Sequence, residues 1–158
     1  ESGHELGIVR ATIEANNNQL AKMSEKIKSA LDLSNNNQKI AVLGLTFKPE
    51  TDDIRESPSL SLLPDLVQAG VTIKAHDPKG LDAAKQVLPS DIIFCEDMLS
   101  AIKGSHAIIL LTEWNEYRGL DLNVLKRIMQ GNIFIDLRNI YERETVESHG
   151  FSYFCVGR

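Results

Sequence analysis

Short apolar runs and helix-like segments alternate from residue 39 to the end of the chain, and few folds accommodate that order. The runs are bounded by turn residues and rich in isoleucine, valine and leucine, which is typical of buried parallel strands. We predict strands at residues 39–45, 71–76, 92–95, 106–111, 133–137 and 151–156. We predict helices at residues 58–69, 81–88, 97–103, 122–129 and 142–148. The pattern predicts an α/β fold with a six-stranded, doubly wound parallel sheet, Rossmann-like, in the order 3-2-1-4-5-6.

A long helix is predicted ahead of this sheet, because apolar side chains recur at helical spacing between residues 8 and 33. The stripe consists of Ile13, Leu20, Met23, Ile27 and Leu31. We expect this stripe to meet another domain or another subunit; in the alternative, the helix folds back on its own sheet. The chain is therefore divided into a connector helix (residues 1–37) and a sheet domain (residues 38–158), with a homodimer expected through the helix.

Composition excludes several classes of partner. The chain has 158 residues and a formal net charge of −5, whereas a nucleic-acid-binding protein is usually basic. No apolar run approaches the roughly 20 residues that span a membrane, and no signal peptide is visible. Cys95 and Cys155 form no metal-type spacing, which predicts a reduced, cytoplasmic protein without a metal site. Because the sequence begins with Glu1 rather than Met, we expect it to be part of a longer chain.

The connection between the first strand and the next helix carries two cations. It reads GLTFKPETDDIRESPS and contains Lys48 and Arg55. In open parallel sheets, ligands bind at the carboxyl ends of the strands. Cations there, beside a helix N-terminus, suit an anion such as a pyrophosphate. Arg138 follows the fifth strand and is expected at the same edge.

A dinucleotide-binding sheet carries G-x-G-x-x-G after its first strand, but here that position holds only Gly44. The backbone is therefore not expected to wrap a pyrophosphate, and contact would come from side chains such as Lys48 and from a helix N-terminus. The sequence also has no P-loop, no H-E-x-x-H and no G-x-S-x-G motif.

Four segments carry an unusual combination of residues: GLTFKPETDDIRESPS, the HDP at residues 76–78, TEWNEYRGLDL at residues 112–122 and IDLRNIY at residues 135–141. Together they resemble the C-terminal domain of the UDP-glucose/GDP-mannose dehydrogenase family. The first helix, with its EANNNQ, resembles the central helix of that family. The resemblance therefore covers essentially the whole chain and implies that residues 38–158 are a nucleotide-sugar (UDP) binding domain.

The resemblance implies an oxidoreductase that converts the C6 hydroxymethyl group of UDP-glucose to a carboxylate with two NAD, yielding UDP-glucuronate for polysaccharide biosynthesis. In the family a cysteine holds the aldehyde covalently between two hydride transfers. That cysteine and the main NAD-binding region belong to parts of the family that this sequence does not match. No catalytic residue is therefore assigned, and the fragment alone is expected to be inactive.

Two alternatives stay open. GDP-mannose or UDP-N-acetylmannosamine could be the substrate of the parent enzyme, although TEWNEYRGLDL favours UDP-glucose. The chain could also be a non-catalytic nucleotide-binding or subunit-interaction module.

The resemblance also implies residue roles. Phe47 and Lys48 match the F-K pair of the sugar-nucleotide site, and Arg138 matches the arginine of D-x-R that contacts the nucleotide sugar. Arg55 matches the arginine of R-E-S-P, which reaches toward the NAD phosphates. Where the family often has D-G-R, this chain has Leu137 in place of the glycine.

Structural interpretations compete with these roles. Arg55 could form an ion pair with Asp52, Asp53 or Glu56. Arg138 could pair with Asp136 or Glu142. The ring of Trp114 could stack on uracil, but we expect it to pack its loop against the sheet.

Overall fold

The computed structural model describes residues 7–31 and 38–157. The strands are β1 Lys39–Leu43, β2 Thr72–His76, β3 Ile93–Phe94, β4 Ala107–Leu110, β5 Ile133–Asp136 and β6 Ser152–Cys155. The helices are α1 Gly7–Ala30, α2 Ser59–Gln68, α3 Leu81–Val87, α4 Met98–Ile102, α5 Asn115–Arg118, α6 Leu122–Ile128 and α7 Arg143–Ser148. Each predicted strand and helix is present with slightly different bounds, whereas the short α5 was not predicted.

The six strands form one sheet in the order β3-β2-β1-β4-β5-β6, and every neighbouring pair is parallel. The predicted doubly wound sheet is therefore confirmed. Leu43 lies beside His76 and Leu110, and Leu110 lies beside Asp136. The carboxyl ends of four strands consequently meet at one edge, and the winding direction changes between β1 and β4.

Helices cover both faces of the sheet, because its central strands are apolar on both faces. In β1, Ile40 and Val42 join one buried cluster with residues of α1, α2 and α3. Ala41 and Leu43 join a second cluster with residues of α4, α5, α6 and α7. This division follows the two-residue period of side chains along a strand. The same sheet thus supports a core on each side.

Helix α1 packs the C-terminal part of its stripe against the sheet domain itself. Ile27 and Leu31 are 0% and 3% exposed within the first cluster, and Met23 packs against it. The expectation of a stripe facing another domain or subunit is therefore wrong for Ile27 and Leu31, where the helix folds back on its own sheet. Leu20 is half-buried, and the side chain of Ile13 lies outside the described residues.

The first turn of α2 is tied to the end of β1. Ser57 Oγ accepts a hydrogen bond from the Ser59 N–H at 3.2 Å, and Pro58 is already helical. Ser59 Oγ donates to the Leu45 carbonyl at 2.8 Å. Gly70 follows the helix with a φ of 82°, which glycine adopts without strain. The loop between β1 and α2 is therefore anchored at its start and at its end.

Candidate functional site

The carboxylate of Asp77 ties together the ends of β1, β2 and β4. Asp77 directly follows β2 and is 1% exposed. Its Oδ2 accepts from the N–H groups of Leu45 and Thr46 at 2.6 and 3.1 Å, and from the Trp114 indole at 3.2 Å. Its Oδ1 accepts from two N–H groups of the turn that follows. A buried charge needs such donors, and Asp77 has them on both oxygens.

The crevice between β1 and β4 is filled by the protein's own side chains. Thr112 Oγ1 donates to the Thr46 carbonyl at 2.6 Å, and Trp114, at 3% exposure, packs this loop against the sheet as predicted. Gly44 has a φ of 91°, and a Cβ there would lie 2.5 Å from Thr112 Cβ. The single glycine after β1 therefore permits close packing against β4.

This packing differs from that of a dinucleotide-binding crevice. In a dinucleotide-binding sheet, the amides after the first strand face the pyrophosphate. Here the amides of Leu45 and Thr46 donate to Asp77 instead. At the start of α2, the N–H groups of residues 59–61 all donate to oxygens of the same turn. An anion at this edge therefore depends on side chains rather than on the helix N-terminus.

Arg138 connects three segments at the carboxyl edge of the sheet. Its Nε donates to the Leu111 carbonyl, just after β4, at 2.7 Å. Its Nη2 donates to the Phe47 carbonyl, in the loop after β1, at 3.1 Å. Its Nη1 makes no hydrogen bond to any residue that the structure describes. One edge of the guanidinium is thus fixed by the protein, and the other is available to a phosphate.

The turn that carries Arg138 is shaped by Asp136, which is fully buried. Asp136 Oδ1 accepts from the Arg138 N–H at 2.9 Å, and Oδ2 accepts from two further N–H groups of the turn. Leu137 is buried, and the left-handed residue of the turn is Asn139, with a φ of 54°. The Asn139 amide pairs with both the N–H and the carbonyl of Val156. The turn is therefore anchored without the glycine that the family often has.

The ion-pair partner of Arg138 is Glu113, which the sequence patterns did not single out. Glu113 Oε2 lies 2.9 Å from Arg138 Nε. The Nε–H points to the Leu111 carbonyl, so this buried Oε2 has no hydrogen-bond partner within the described residues. The alternative in which Arg138 pairs with Asp136 or Glu142 is therefore wrong about the partner. The sequence could have indicated this pair, because Glu113 and Arg138 closely follow β4 and β5, which are neighbours in the predicted strand order.

Phe47 and Lys48 lie in the loop beside Arg138. The main chain of Phe47 is held at both ends, since its N–H donates to the Asp53 carbonyl at 2.9 Å and its carbonyl accepts from Arg138. Its side chain is nevertheless 47% exposed. Lys48 is also exposed, and it has no hydrogen bond or ion pair with the residues that the structure describes. An apolar ring and a cation are thus presented next to the fixed arginine.

Arg55 forms a two-pronged ion pair with Asp53. Arg55 Nε donates to Asp53 Oδ1 at 2.9 Å, and Nη2 donates to Oδ2 at 2.8 Å. The Arg55 guanidinium lowers the pKa of Asp53 to about 2. The structural interpretation of Arg55 as a loop ion pair therefore holds. The Arg55 side chain is 86% exposed, and its Nη1 group makes no hydrogen bond to a residue that the structure describes.

Two clefts share a wall formed by Phe47 and Glu56. The larger cleft, about 460 Å³, contains Arg138 and is also lined by α1. The smaller cleft, about 350 Å³, contains Arg55 and Asp53. Each arginine that the sequence singled out therefore lies in a cleft that Phe47 also lines.

The remaining reactive side chains have structural surroundings. Cys155 is buried, and burial raises the pKa of the half-buried Cys95 thiol, which opposes thiolate formation. His76 Nδ1 shares a hydrogen bond of 2.8 Å with the Tyr117 hydroxyl, and burial lowers the pKa of His76. Within residues 7–31 and 38–157, no group of three His, Cys, Asp or Glu is arranged to hold a metal ion. No helix in those ranges is both long and apolar enough to cross a membrane.

Comparison with known sequences identifies relatives of this domain. Residues 41–143 match the model of the UDP-glucose/GDP-mannose dehydrogenase family, UDP binding domain. The UDP-glucose 6-dehydrogenase of Rhizobium meliloti (strain 1021) is 38% identical over 151 residues, covering 96% of this chain and 34% of that protein. The UDP-glucose 6-dehydrogenase YwqF of Bacillus subtilis (strain 168) is 35% identical over 155 residues, covering 98% and 35%. The chain therefore spans about a third of the length of the curated relatives it matches.

Solved structures show the same fold. A UDP-glucose dehydrogenase from the archaeon Pyrobaculum islandicum superposes with a TM-score of 0.75 at 25% identity, covering 96% of this chain and 32% of that chain. A UDP-D-ManNAc dehydrogenase from Pyrococcus horikoshii superposes with a TM-score of 0.79 at 24% identity, covering 100% and 35%. At that identity the second likeness supports the fold alone.

Proposed function

The chain belongs to the UDP-glucose/GDP-mannose dehydrogenase family, and we propose that it forms the UDP-sugar-binding part of an NAD-dependent UDP-glucose 6-dehydrogenase. The complete enzyme would oxidise UDP-glucose to UDP-glucuronate with two NAD. The named relatives at 35–38% identity support UDP-glucose as the substrate. The cysteine chemistry and most of the NAD site would be supplied by residues outside this sequence.

The observation that carries the proposal is the position of Arg138. Two main-chain carbonyls fix one edge of its guanidinium, at 2.7 and 3.1 Å, while the other edge lies at a cleft of about 460 Å³. A planar, pre-oriented guanidinium is suited to two oxygens of a diphosphate. Holding it in advance reduces the conformational entropy lost on binding. Arg138 would therefore bind the diphosphate of the UDP-sugar.

Phe47 and Lys48 would complete this contact. Lys48 makes no hydrogen bond or ion pair with the described residues and only attracts Asp53 through its charge, so its ammonium can move toward a phosphate or a sugar hydroxyl without breaking a direct contact. The exposed ring of Phe47 lines the same cleft as Arg138 and would pack against the ligand.

NAD would meet this chain only at its surface. The filled crevice between β1 and β4 does not fit a dinucleotide, because the Leu45 and Thr46 amides are committed to Asp77. Arg55 is the group that fits a phosphate of NAD, since it is exposed and retains a free edge. When bound, NAD supplies the hydride acceptor. This chain's part would be to hold the sugar nucleotide in place and to offer Arg55 to the cofactor.

Two further features support proposals about assembly and location. A homodimer through α1 is proposed, supported by the apolar side chain of Leu20, which is only half-buried. A cytoplasmic location is supported by Cys95 and Cys155, which form no disulfide with each other, as is common in reducing compartments.

The test uses the full-length natural chain that contains this sequence. NADH formation is followed with UDP-glucose, for the wild type beside Lys48→Ala. Two NADH per UDP-glucose, with a marked loss in the variant, are expected. Turnover of GDP-mannose or UDP-N-acetylmannosamine instead would keep the family and change the substrate. No turnover of any nucleotide sugar would contradict the enzyme and favour a binding module.

A further inference from the structure

Asp53 stands between the two arginines of the site. Through its main-chain carbonyl it holds the N–H of Phe47 at 2.9 Å, and the carbonyl of Phe47 is held by Arg138. Through its carboxylate it holds Arg55. Asp53 therefore contacts both Phe47, which lines both clefts, and Arg55, the cation of the smaller cleft.

The carboxylate of Asp53 fixes Arg55 at three points. Oδ1 accepts from the Arg55 N–H at 3.0 Å and from Nε at 2.9 Å, and Oδ2 accepts from Nη2 at 2.8 Å. The first bond shapes the loop, and the other two define the plane of the guanidinium. Both partners thus keep one geometry although the Arg55 side chain is 86% exposed.

Stability does not account for this arrangement. Exposed ion pairs contribute little to folding, because water and salt screen them and both side chains lose conformational freedom. What the pair does achieve is orientation: a long, exposed arginine is held through Nε and Nη2, and its Nη1 group makes no hydrogen bond to a described residue. A ligand that meets Arg55 would find it already ordered.

We propose that Asp53 is a positioning residue, which holds Arg55 in the orientation needed to contact a phosphate of NAD. The inference rests on the proposed function and goes beyond it, since it assigns a role to a carboxylate that would itself repel the cofactor. The charge of Asp53 is matched by the arginine it holds, and Glu56 also lines the cleft, so the contact depends on the orientation of Arg55 rather than on a net positive charge. Without Asp53, Arg55 would sample many rotamers and bind more weakly.

The test compares Asp53→Asn, Arg55→Ala and the double variant in the full-length chain, using NADH binding measured by fluorescence and the KM values for NAD and UDP-glucose. Asparagine keeps an oxygen for the Arg55 N–H, so the loop shape is retained while the two-pronged ion pair is lost. Asp52→Asn is the matched control, because Asp52 is an exposed neighbouring carboxylate. Melting temperatures report whether each variant is folded.

We expect Asp53→Asn to weaken NADH binding about threefold to tenfold, with the KM for UDP-glucose and the melting temperature unchanged. Arg55→Ala should weaken it at least as much, and adding Asp53→Asn to Arg55→Ala should have no further effect, since both act through one group. Asp52→Asn should bind NADH as the wild type does.

Two results would overturn the inference. One is unchanged NADH binding in Asp53→Asn while Arg55→Ala is impaired; the other is full additivity in the double variant. Unchanged binding in Arg55→Ala would remove the role of Arg55 and the inference with it. Absence of UDP-glucose oxidation in the wild type is a separate result that contradicts the proposed function, because NADH binding is measured without turnover.

Discussion

Arg138 and Arg55 each hold one edge of a guanidinium on the protein, but they do so in opposite surroundings. The Arg138 side chain is 30% exposed and contacts segments that follow β1 and β4. The Arg55 side chain is 86% exposed, and its partner is two residues away in the same loop. The first arginine is placed by the fold of the whole sheet, and the second is placed by a local turn.

A guanidinium can therefore be oriented for a ligand either by distant segments of the sheet or by a local turn. Changes around Arg138 disturb several elements at once, so they should alter both stability and ligand binding. Changes around Arg55 remove only a local contact, so they should alter ligand binding while the fold is retained. Substitutions beside either arginine test this difference.

The largest effect is expected at the buried edge that supports Arg138. Asp77→Ala would leave the amides of Leu45 and Thr46 without their acceptor and would remove one of the two acceptors of the Trp114 indole. Because unsatisfied buried donors are costly, the free energy of unfolding should fall by about 3–5 kcal/mol. Chemical denaturation measures this directly. A loss below about 1 kcal/mol would show that the edge is not held by this carboxylate.

Arg138→Ala should combine two effects. The Leu111 and Phe47 carbonyls lose a donor and Glu113 loses its counter-charge, so stability should fall by about 1–3 kcal/mol. The kcat/KM for UDP-glucose should fall about 100-fold, since a fixed phosphate contact is removed. Arg138→Lys is the control, because it restores the charge without the planar fork. A variant with normal kcat/KM would contradict the assignment of Arg138.

The sequence predicted the strands and helices, which depend on local pattern, and it missed contacts between the ends of strands that are distant in the chain. Apolar runs predicted all six strands and their order, because a buried parallel strand is legible from a few residues. Asp77 was recognised only as part of a turn, although its acceptors serve residues 31 to 37 positions away. The nearby acids proposed for Arg138 were wrong, whereas the nearby acid proposed for Arg55 was right. Spacing along the chain finds local pairs, and only the assembled sheet finds the others.

Lys48→Ala should affect the ligand alone. Lys48 is exposed and makes no hydrogen bond or ion pair in the described part of the chain, so the melting temperature should stay within error of the wild type. The KM for UDP-glucose should rise about tenfold through loss of one cation. Steady-state kinetics and thermal melting on the same preparation test both parts. A large fall in melting temperature would show that Lys48 stabilises the fold.

The smallest effect is the pH dependence of the exposed ion pair. The pKa of Asp53 is lowered from 3.8 to about 2 by Arg55. A carboxyl with a depressed folded-state pKa stabilises the protein above its unfolded pKa, and that contribution is lost as pH falls from about 4 to about 2. The difference in melting temperature between wild type and Asp53→Asn should therefore be small at pH 7 and disappear toward pH 2, and added salt should reduce it. A large difference at neutral pH would show that the pair does stabilise the fold.

The placement of the UDP-sugar beside Arg138 is tested most directly by calorimetry, which measures UDP binding to the full-length chain for wild type, Arg138→Ala and Arg55→Ala. UDP carries the diphosphate assigned to Arg138 and nothing assigned to Arg55. We expect Arg138→Ala to lose about tenfold or more in affinity for UDP, and Arg55→Ala to bind UDP with wild-type affinity. Equal affinity in all three proteins, or a loss confined to Arg55→Ala, would contradict the placement of the UDP-sugar at the carboxyl edge of this sheet.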